Sequence, residues 1–575
     1  MPTDLRSTTE RSSTFELDHH DIGEKSPQGI TILTVNISDS RKGQHIHEPR
    51  SPSRWRTPEF LFYYLVAAFV IPFMVWVPIT LSSPTHVNYP FFRTRLSPGW
   101  LFGREVDNSD AQYRAFRNNI PALAFLALIY VALKSLYTQS AIRSTSAVPT
   151  EKTYLVPFTI SFAILYLIGL HGTSTIKIFV ILTTNYHIGK GFGGSRAGPF
   201  VTWIFNFLVL FSNERNEGYH FSSLHPSLAA LDVFKGIYPR WHISFNITML
   251  RLVSFNMDYY WACTLPHPPE SALTEKQRAS RTHSLEYYTY ANYLAYVLFP
   301  PLYIAGPILT FNNFMWQLRR PVDLSLRAVL SYLMRFLISL LTMEFILHYM
   351  YVVAIKDAKA WPGDTPLELS MIGFWNLIVV WLKLLLPWRF FRLWSLASGI
   401  DPPENMVRCM ANNYSTLGFW RSWHRSYNLW IVRYIYIPLG GTKNVAVTTV
   451  LIFSFVALWH DLSFRLLAWG WLVSLFILPE LLATYLLPQS KYGRCPWHRH
   501  VCAVGGVFNV LMMITANLVG FVIGTDGILY MVNEIIGSFE GFRFLIGAFC
   551  CLFVGVQLMF EYREEEMRRG ILRRC

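Results

Sequence analysis

Charge is scarce in this chain of 575 residues: Asp, Glu, Lys and Arg make up 15% of it, against about 25% in an ordinary soluble domain. So thin a supply of charge excludes a water-soluble globule of this length. Cysteines are few as well. The seven are scattered and odd in number, which excludes a disulfide framework. No apolar segment opens the chain, so no cleavable signal peptide is expected, and the apolar run beginning at Phe60 reads as an uncleaved signal anchor. The apolar runs show no two-fold internal repeat, which disfavours transporters built from matched halves. The glycine-rich stretch Gly189 to Gly198 lacks Walker spacing and a preceding strand, so it reads as a connector and not a phosphate cradle.

What the chain has in abundance is apolar surface. Apolar residues make up 52% and aromatic residues 16%. A helix crosses a bilayer in roughly 20 residues, and runs of about that length occur at Phe60 to Leu81, Leu466 to Leu487 and Val501 to Ile523. Others lie at Ile120 to Tyr137, Tyr154 to Leu170, Thr289 to Phe311, Ala328 to Val353, Met371 to Pro387 and Phe544 to Phe560. The fold class is therefore all-α, a polytopic membrane protein. Thr173 to Thr184 and Phe200 to Phe211 are shorter, as expected of re-entrant or interfacial helices, and Ile243 to Phe255 holds Asn246 and Arg251, too polar to cross.

Lys plus Arg outnumber acids 50 to 36, a net +14. The excess sits in loops and tails, as cytosolic-loop bias and attraction to anionic lipid require. Nucleic-acid binding is not expected; a phosphate-bearing substrate could use the same charge. Residues 1–58 are polar and without periodicity, a disordered tail by composition. Residues 59–561 form the expected transmembrane domain, with a candidate site block at 388–461. Residues 562–575 are a basic tail whose arginines favour a cytosolic C-terminus.

Two histidines stand out. His460 follows Trp459 at the end of the apolar run Val445 to His460, and His424 lies in the aromatic and basic stretch Phe419 to Gly441. An ionisable group at hydrocarbon depth is costly and usually faces a cavity or a substrate path. A desolvated neutral imidazole can take a proton from an alcohol as that alcohol attacks an acyl carbonyl. On the residues alone, His460 is equally readable as a core histidine bonded to a neighbouring helix. His424 is equally readable as part of an interfacial belt. Arg421, Arg425, Arg433 and Lys443 either belong to that belt or face a polyanionic head such as coenzyme A.

The run Phe419 to Gly441 followed by Trp459-His460 resembles the signature of the membrane-bound O-acyltransferases. Phe299-Pro300-Pro301 with Gly306-Pro307-Ile308, and Arg251 to Phe255 with Asp258, support the resemblance. It covers roughly residues 100–560, with the motifs in the expected order. Within the family the chain most resembles the fungal Gup branch, named for glycerol uptake and implicated in remodelling glycosylphosphatidylinositol (GPI) anchors, and more distantly Hedgehog acyltransferase. The resemblance implies a bundle of about a dozen membrane segments, some interfacial or re-entrant, around an internal tunnel. It places the family's invariant histidine on His460 and its second polar site on His424, where other branches carry Asn or Asp.

It also implies acyl-CoA as co-substrate and transfer of a long or very long acyl chain to the glycerol hydroxyl of a lyso-GPI lipid or GPI-anchored protein. The expected setting is the endoplasmic reticulum membrane, with the plasma membrane as a second location. The rival function is a polyol or glycerol transporter. Against it, polarity is concentrated in one late block, Arg408 to Asp461, and does not line several spans.

No cofactor is required by this reading. Cys409 could ligate haem iron or carry a palmitoyl chain, although some relatives, not this chain, supply the haem precedent. The cluster Cys495, His498, His500 and Cys502 has the composition of a zinc site but abuts a span, where such residues anchor the interface, and no metal is expected. Arg335, Glu344 and His348 share one span and read as an internal polar network.

Overall fold

A computed structural model describes residues 52–143, 151–265, 275–322, 324–441, 445–460, 464–569 and 571. Among them the fold is all-α apart from one antiparallel ribbon, Leu96–Pro98 against Glu105–Asp107. Among the described residues eight helices are long and apolar enough to cross a membrane. The apolar runs of the sequence fall on all eight, and shorter helices make up the rest of the bundle. The N-terminal tail up to residue 51 lies outside the described residues.

The central pillar is the helix Pro366–Ala397, of 32 residues. At 1.5 Å per residue it is roughly 48 Å long. Thr365 and Glu368 close a capping box at its start, and Pro366 occupies the first turn, where the missing N–H costs nothing. It packs against the helices Leu326–Tyr349 and Pro58–Leu81, among others. The ribbon lies in the segment joining the first two long helices. The Asp107 carboxylate on it accepts from the backbone N–H groups of Val353 and Ala354, at 3.1 and 2.8 Å.

One expected span is not a span. Thr289 to Phe311 breaks into the helices Tyr290–Val297 and Pro300–Tyr303, a turn, and the helix Phe311–Arg319. Pro300, Pro301 and Pro307 remove backbone donors and stop helix propagation. Irregular backbone at membrane depth persists only when protein encloses it, and this segment is buried. Arg251 supplies the missing donors: Nη1 donates to Val297 O at 2.7 Å and Nη2 donates to Leu302 O.

The polar segment around Asn246 and Arg251 forms the helix Trp241–Thr264, with 17 buried residues on all sides. It packs against the helices Ser174–Phe192 and Gly198–Arg215. Asn185, Asn206, Asn256 and Thr202 bond to one another at this junction, pairing most of their polar atoms away from water. Gly189 permits the approach, since a Cβ there would sit 2.3 Å from Asn256 Oδ1. The polarity that argued against a span is thus polarity turned inward.

Candidate active site

His460 ends the helix Val445–His460. Its neighbour Trp459 is clamped to the Trp241–Thr264 helix from both sides. The indole Nε1 donates to Asn246 O at 3.0 Å, and Asn246 Nδ2 donates to Trp459 O at 3.3 Å. The backbone that carries His460 is thereby fixed against a buried helix, while the imidazole remains exposed and lines a large internal cavity.

His424 arrives by a different route. It caps the short helix Arg425–Ile431 with φ 44° and ψ 50°, a left-handed conformation that His tolerates better than most residues. Asn405 holds the turn by accepting from Arg425 N through its carbonyl at 3.0 Å and from Ser426 N through Oδ1 at 3.2 Å. Ser426 Oγ in turn accepts from Ile308 N at 2.8 Å, so the Gly306-Pro307-Ile308 motif supports the turn directly. The imidazole stacks on Trp388 of the central pillar, ring centroids 4.5 Å apart and planes 19° from parallel.

Both histidines line the same cavity, of about 1560 Å³. Tyr427 is near both, its ring 5.2 Å from that of His424 and 6.5 Å from that of His460. The Tyr427 hydroxyl is buried and has no hydrogen-bond partner among the described residues. Most of the remaining wall is apolar, with Trp388, Met410, Leu511 and Leu552 representative of it. The sequence reading missed Tyr427 and Trp388 as site residues. Tyr427 sits three positions after His424, close to one helical turn, a spacing that would have found it.

The proposed acyl-CoA contacts divide. Arg421 is exposed and lines the cavity. Arg425 pairs with Glu275 at 3.1 Å. Arg433 donates through Nη2 and Nε to Asp258 Oδ1, at 2.7 and 3.2 Å, and lies over the Trp261 ring. Tyr434 donates to the same carboxylate oxygen at 3.0 Å and Asn312 N to the other at 3.2 Å. Asp258 and Arg433 therefore join two helical segments of the core and do not line the cavity. Lys443 lies outside the described residues.

Cys409 is exposed in the loop that follows the central pillar. His498 faces Leu487 O at 3.2 Å and the Cys502 sulfur at 3.6 Å, while His500 turns to Gln557 at 3.1 Å. No cluster of three or more potential metal ligands occurs among the described residues. Glu344 belongs to a structural network, accepting from Trp100, Arg117 and Tyr113 at 2.8, 2.7 and 3.2 Å.

Chemically, the arrangement offers two imidazoles on an apolar chamber large enough for a lipid chain, one held by a clamped helix end and the other by a supported turn. The profile of the membrane-bound O-acyltransferase family matches residues 232–525, a segment that contains both histidines. The chain is 45% identical to the membrane-bound O-acyltransferase GUP1 of Saccharomyces cerevisiae over 541 residues, 91% of this chain and 94% of that protein. It is 43% identical to the enzyme named gup1 in Schizosaccharomyces pombe over 568 residues, 96% of this chain and 95% of that one. More distantly, it is 27% identical to the protein-cysteine N-palmitoyltransferase HHAT of Mus musculus over 302 residues, 48% of this chain and 57% of that protein. With both the family profile and near full-length relatives in agreement, the chain belongs to the membrane-bound O-acyltransferase family.

Proposed function

We propose that this acyltransferase moves a long or very long fatty acyl chain from acyl-CoA to the free glycerol hydroxyl of a lyso-GPI lipid, in the membrane of the endoplasmic reticulum. The observation that carries the chemistry is the shared cavity: His460 and His424 line one apolar chamber, each within ring-contact distance of Tyr427. Its volume of about 1560 Å³ exceeds the roughly 300–1,000 Å³ of an ordinary small-molecule pocket. That extra room suits a lipid chain. The acceptor rests on resemblance to the Gup branch.

His460 takes the proton of the hydroxyl as its oxygen attacks the thioester carbon. The new ester C–O bond forms, the C–S bond breaks, and CoA leaves as a thiolate. No covalent enzyme intermediate is needed. His424 orients the acceptor or polarises the acyl carbonyl. Holding hydroxyl and thioester in contact inside the chamber supplies the larger part of the rate enhancement.

The test is turnover by purified wild type, His460→Ala and His424→Ala, with labelled long-chain acyl-CoA and a panel of lyso-lipids that includes lyso-GPI. Loss of the general base lowers turnover about 10²–10⁴-fold. A correctly folded His460→Ala enzyme with full turnover would refute the mechanism. Brisk transfer to another lyso-lipid with none to lyso-GPI would refute the acceptor.

A further inference from the structure

Three arginines meet between the central pillar and the helix Leu326–Tyr349, and none of them lines the cavity of the two histidines. Arg389 and Arg392 lie one turn apart on the pillar, and Arg335 lies on the neighbouring helix. Arg389 Nη1 donates to Arg335 O at 3.4 Å and also to Ser339 Oγ. The guanidinium groups of Arg335 and Arg392 approach the ring of Tyr332, at 5.8 and 4.8 Å from its centroid. The cluster is compact.

Its charge is not balanced. Both nearby carboxylates serve Arg392: Nη2 donates to Asp401 Oδ1 at 2.8 Å, and Nη1 lies 3.5 Å from Glu404 Oε2, which also accepts from the Tyr332 hydroxyl at 2.9 Å. Arg335 and Arg389 form no ion pair with an acid among the described residues. Three guanidinium nitrogens, Arg335 Nη1, Arg389 Nε and Arg392 Nη1, are buried without a hydrogen-bond partner. Arg392 itself is only 5% exposed.

Position sharpens the point. Arg335 lies nine residues into its helix, roughly 13 Å from the helix start, between Met334 and Ile338, both of which are exposed on the outside of the bundle. Cationic side chains at such depth are expensive and face a partner or a path. Like charges held together with unused N–H donors repel one another unless an anion joins them. A guanidinium fork matches phosphate oxygens, and basic pockets between membrane helices bind phosphorylated head groups.

We propose that Arg335, Arg389 and Arg392 form a phosphate-binding site between these two helices, taking the phosphate of a membrane lipid head group or of the nucleotide portion of CoA. Trp388, adjacent in sequence to Arg389, stacks on His424 and lines the cavity. The proposal does not depend on which acceptor the enzyme uses, and its test needs no turnover.

The experiment measures equilibrium binding to the purified full chain in neutral detergent, with phosphatidylinositol in mixed micelles as one probe and free CoA as the other. Wild type and Arg335→Gln/Arg389→Gln are compared across a salt series. The expected result is at least tenfold weaker binding of one probe by the arginine double variant. A loss confined to phosphatidylinositol assigns a lipid head group, and a loss confined to CoA assigns the nucleotide phosphates. Undiminished binding of both probes overturns the site. Should the glutamine variant not fold, Arg335→Lys/Arg389→Lys keeps the charge and removes the forks. It is expected to bind several-fold more weakly, and unchanged binding of both probes overturns the site there too.

Discussion

Replacing Arg433 by Met separates a structural arginine from a substrate-binding one. Asp258 is fully buried and takes three of its hydrogen bonds from Arg433 and Tyr434. Without Arg433 its carboxylate is a buried charge with no counter-ion, and it relieves this by taking up a proton. In the unfolded chain the same group has an ordinary value near 3.9, so holding it neutral at pH 7 costs about 4 kcal/mol. That figure agrees with the roughly 3–5 kcal/mol lost when one member of a buried pair is removed. The sign follows directly. The unfolded state becomes protonated as pH falls, so this part of the loss shrinks by about 1.4 kcal/mol per pH unit and is about 1.5 kcal/mol at pH 5. Asp258→Asn on the same background removes the charge and restores most of the stability, because the two side chains act as one unit. The assay is denaturation of the purified protein at pH 5, 6 and 7, followed by KM for acyl-CoA in the double variant. A loss of stability independent of pH would refute the ion-pair argument. A stable Asp258→Asn/Arg433→Met enzyme with a much raised KM for acyl-CoA would instead return Arg433 to the substrate.

Two further expectations concern supports at the edge of the site and of the fold. Asn246→Leu leaves the Trp459 carbonyl without its donor; it should lower stability by about 1–3 kcal/mol and lower kcat more than KM, read by denaturation and steady-state kinetics. Asp364 lies in the loop before the central pillar, and burial together with nearby Glu368 pushes its carboxyl up to about 7, against a hydrogen bond from Asn88 that pulls it down. Because the folded value exceeds the ordinary one, the folded state holds the proton more tightly and stability declines as pH rises from about 4 through about 7. Asp364→Asn should flatten that decline, and an unchanged slope would show that another group governs it.

Much of this architecture is legible in the sequence because the bilayer imposes length and polarity rules on every span. The helices Pro58–Leu81, Leu326–Tyr349 and Phe539–Arg568 follow from apolar length alone. Thr289 to Phe311 misled for a physical reason: hydropathy counts apolar side chains and is blind to the donors that Pro300, Pro301 and Pro307 lack. The polar helix Trp241–Thr264 shows the reverse case, since Arg251 and the asparagine junction are satisfied by partners far away in sequence. At the site, the residues alone left His424 and His460 open to a structural reading, and the family resemblance singled them out. Which arginines bind substrate was not legible, because ion pairs such as Arg433 with Asp258 and Arg425 with Glu275 join positions 175 and 150 residues apart.

His424 carries one more property that no residue pattern discloses, its left-handed backbone. A φ of 44° is tolerated by His, Asn and Asp and is strained for β-branched residues. The turn is held by Asn405 and Ser426, so the conformation belongs to the surroundings and persists when the side chain changes. His424→Asn should therefore fold as wild type does, whereas His424→Val should lose about 1–3 kcal/mol from strain. Activity then isolates the role of the ring. If His424 acts by donating a hydrogen bond to acceptor or carbonyl, the Asn amide substitutes in part and His424→Asn turns over faster than His424→Ala. If the ring shares the proton with His460, Asn cannot serve, and His424→Asn and His424→Ala are equally slow. The reasoning about backbone support fails if His424→Asn and His424→Val unfold alike, since the turn would then owe its shape to the stacking of the imidazole on Trp388 and not to the bonds beneath it.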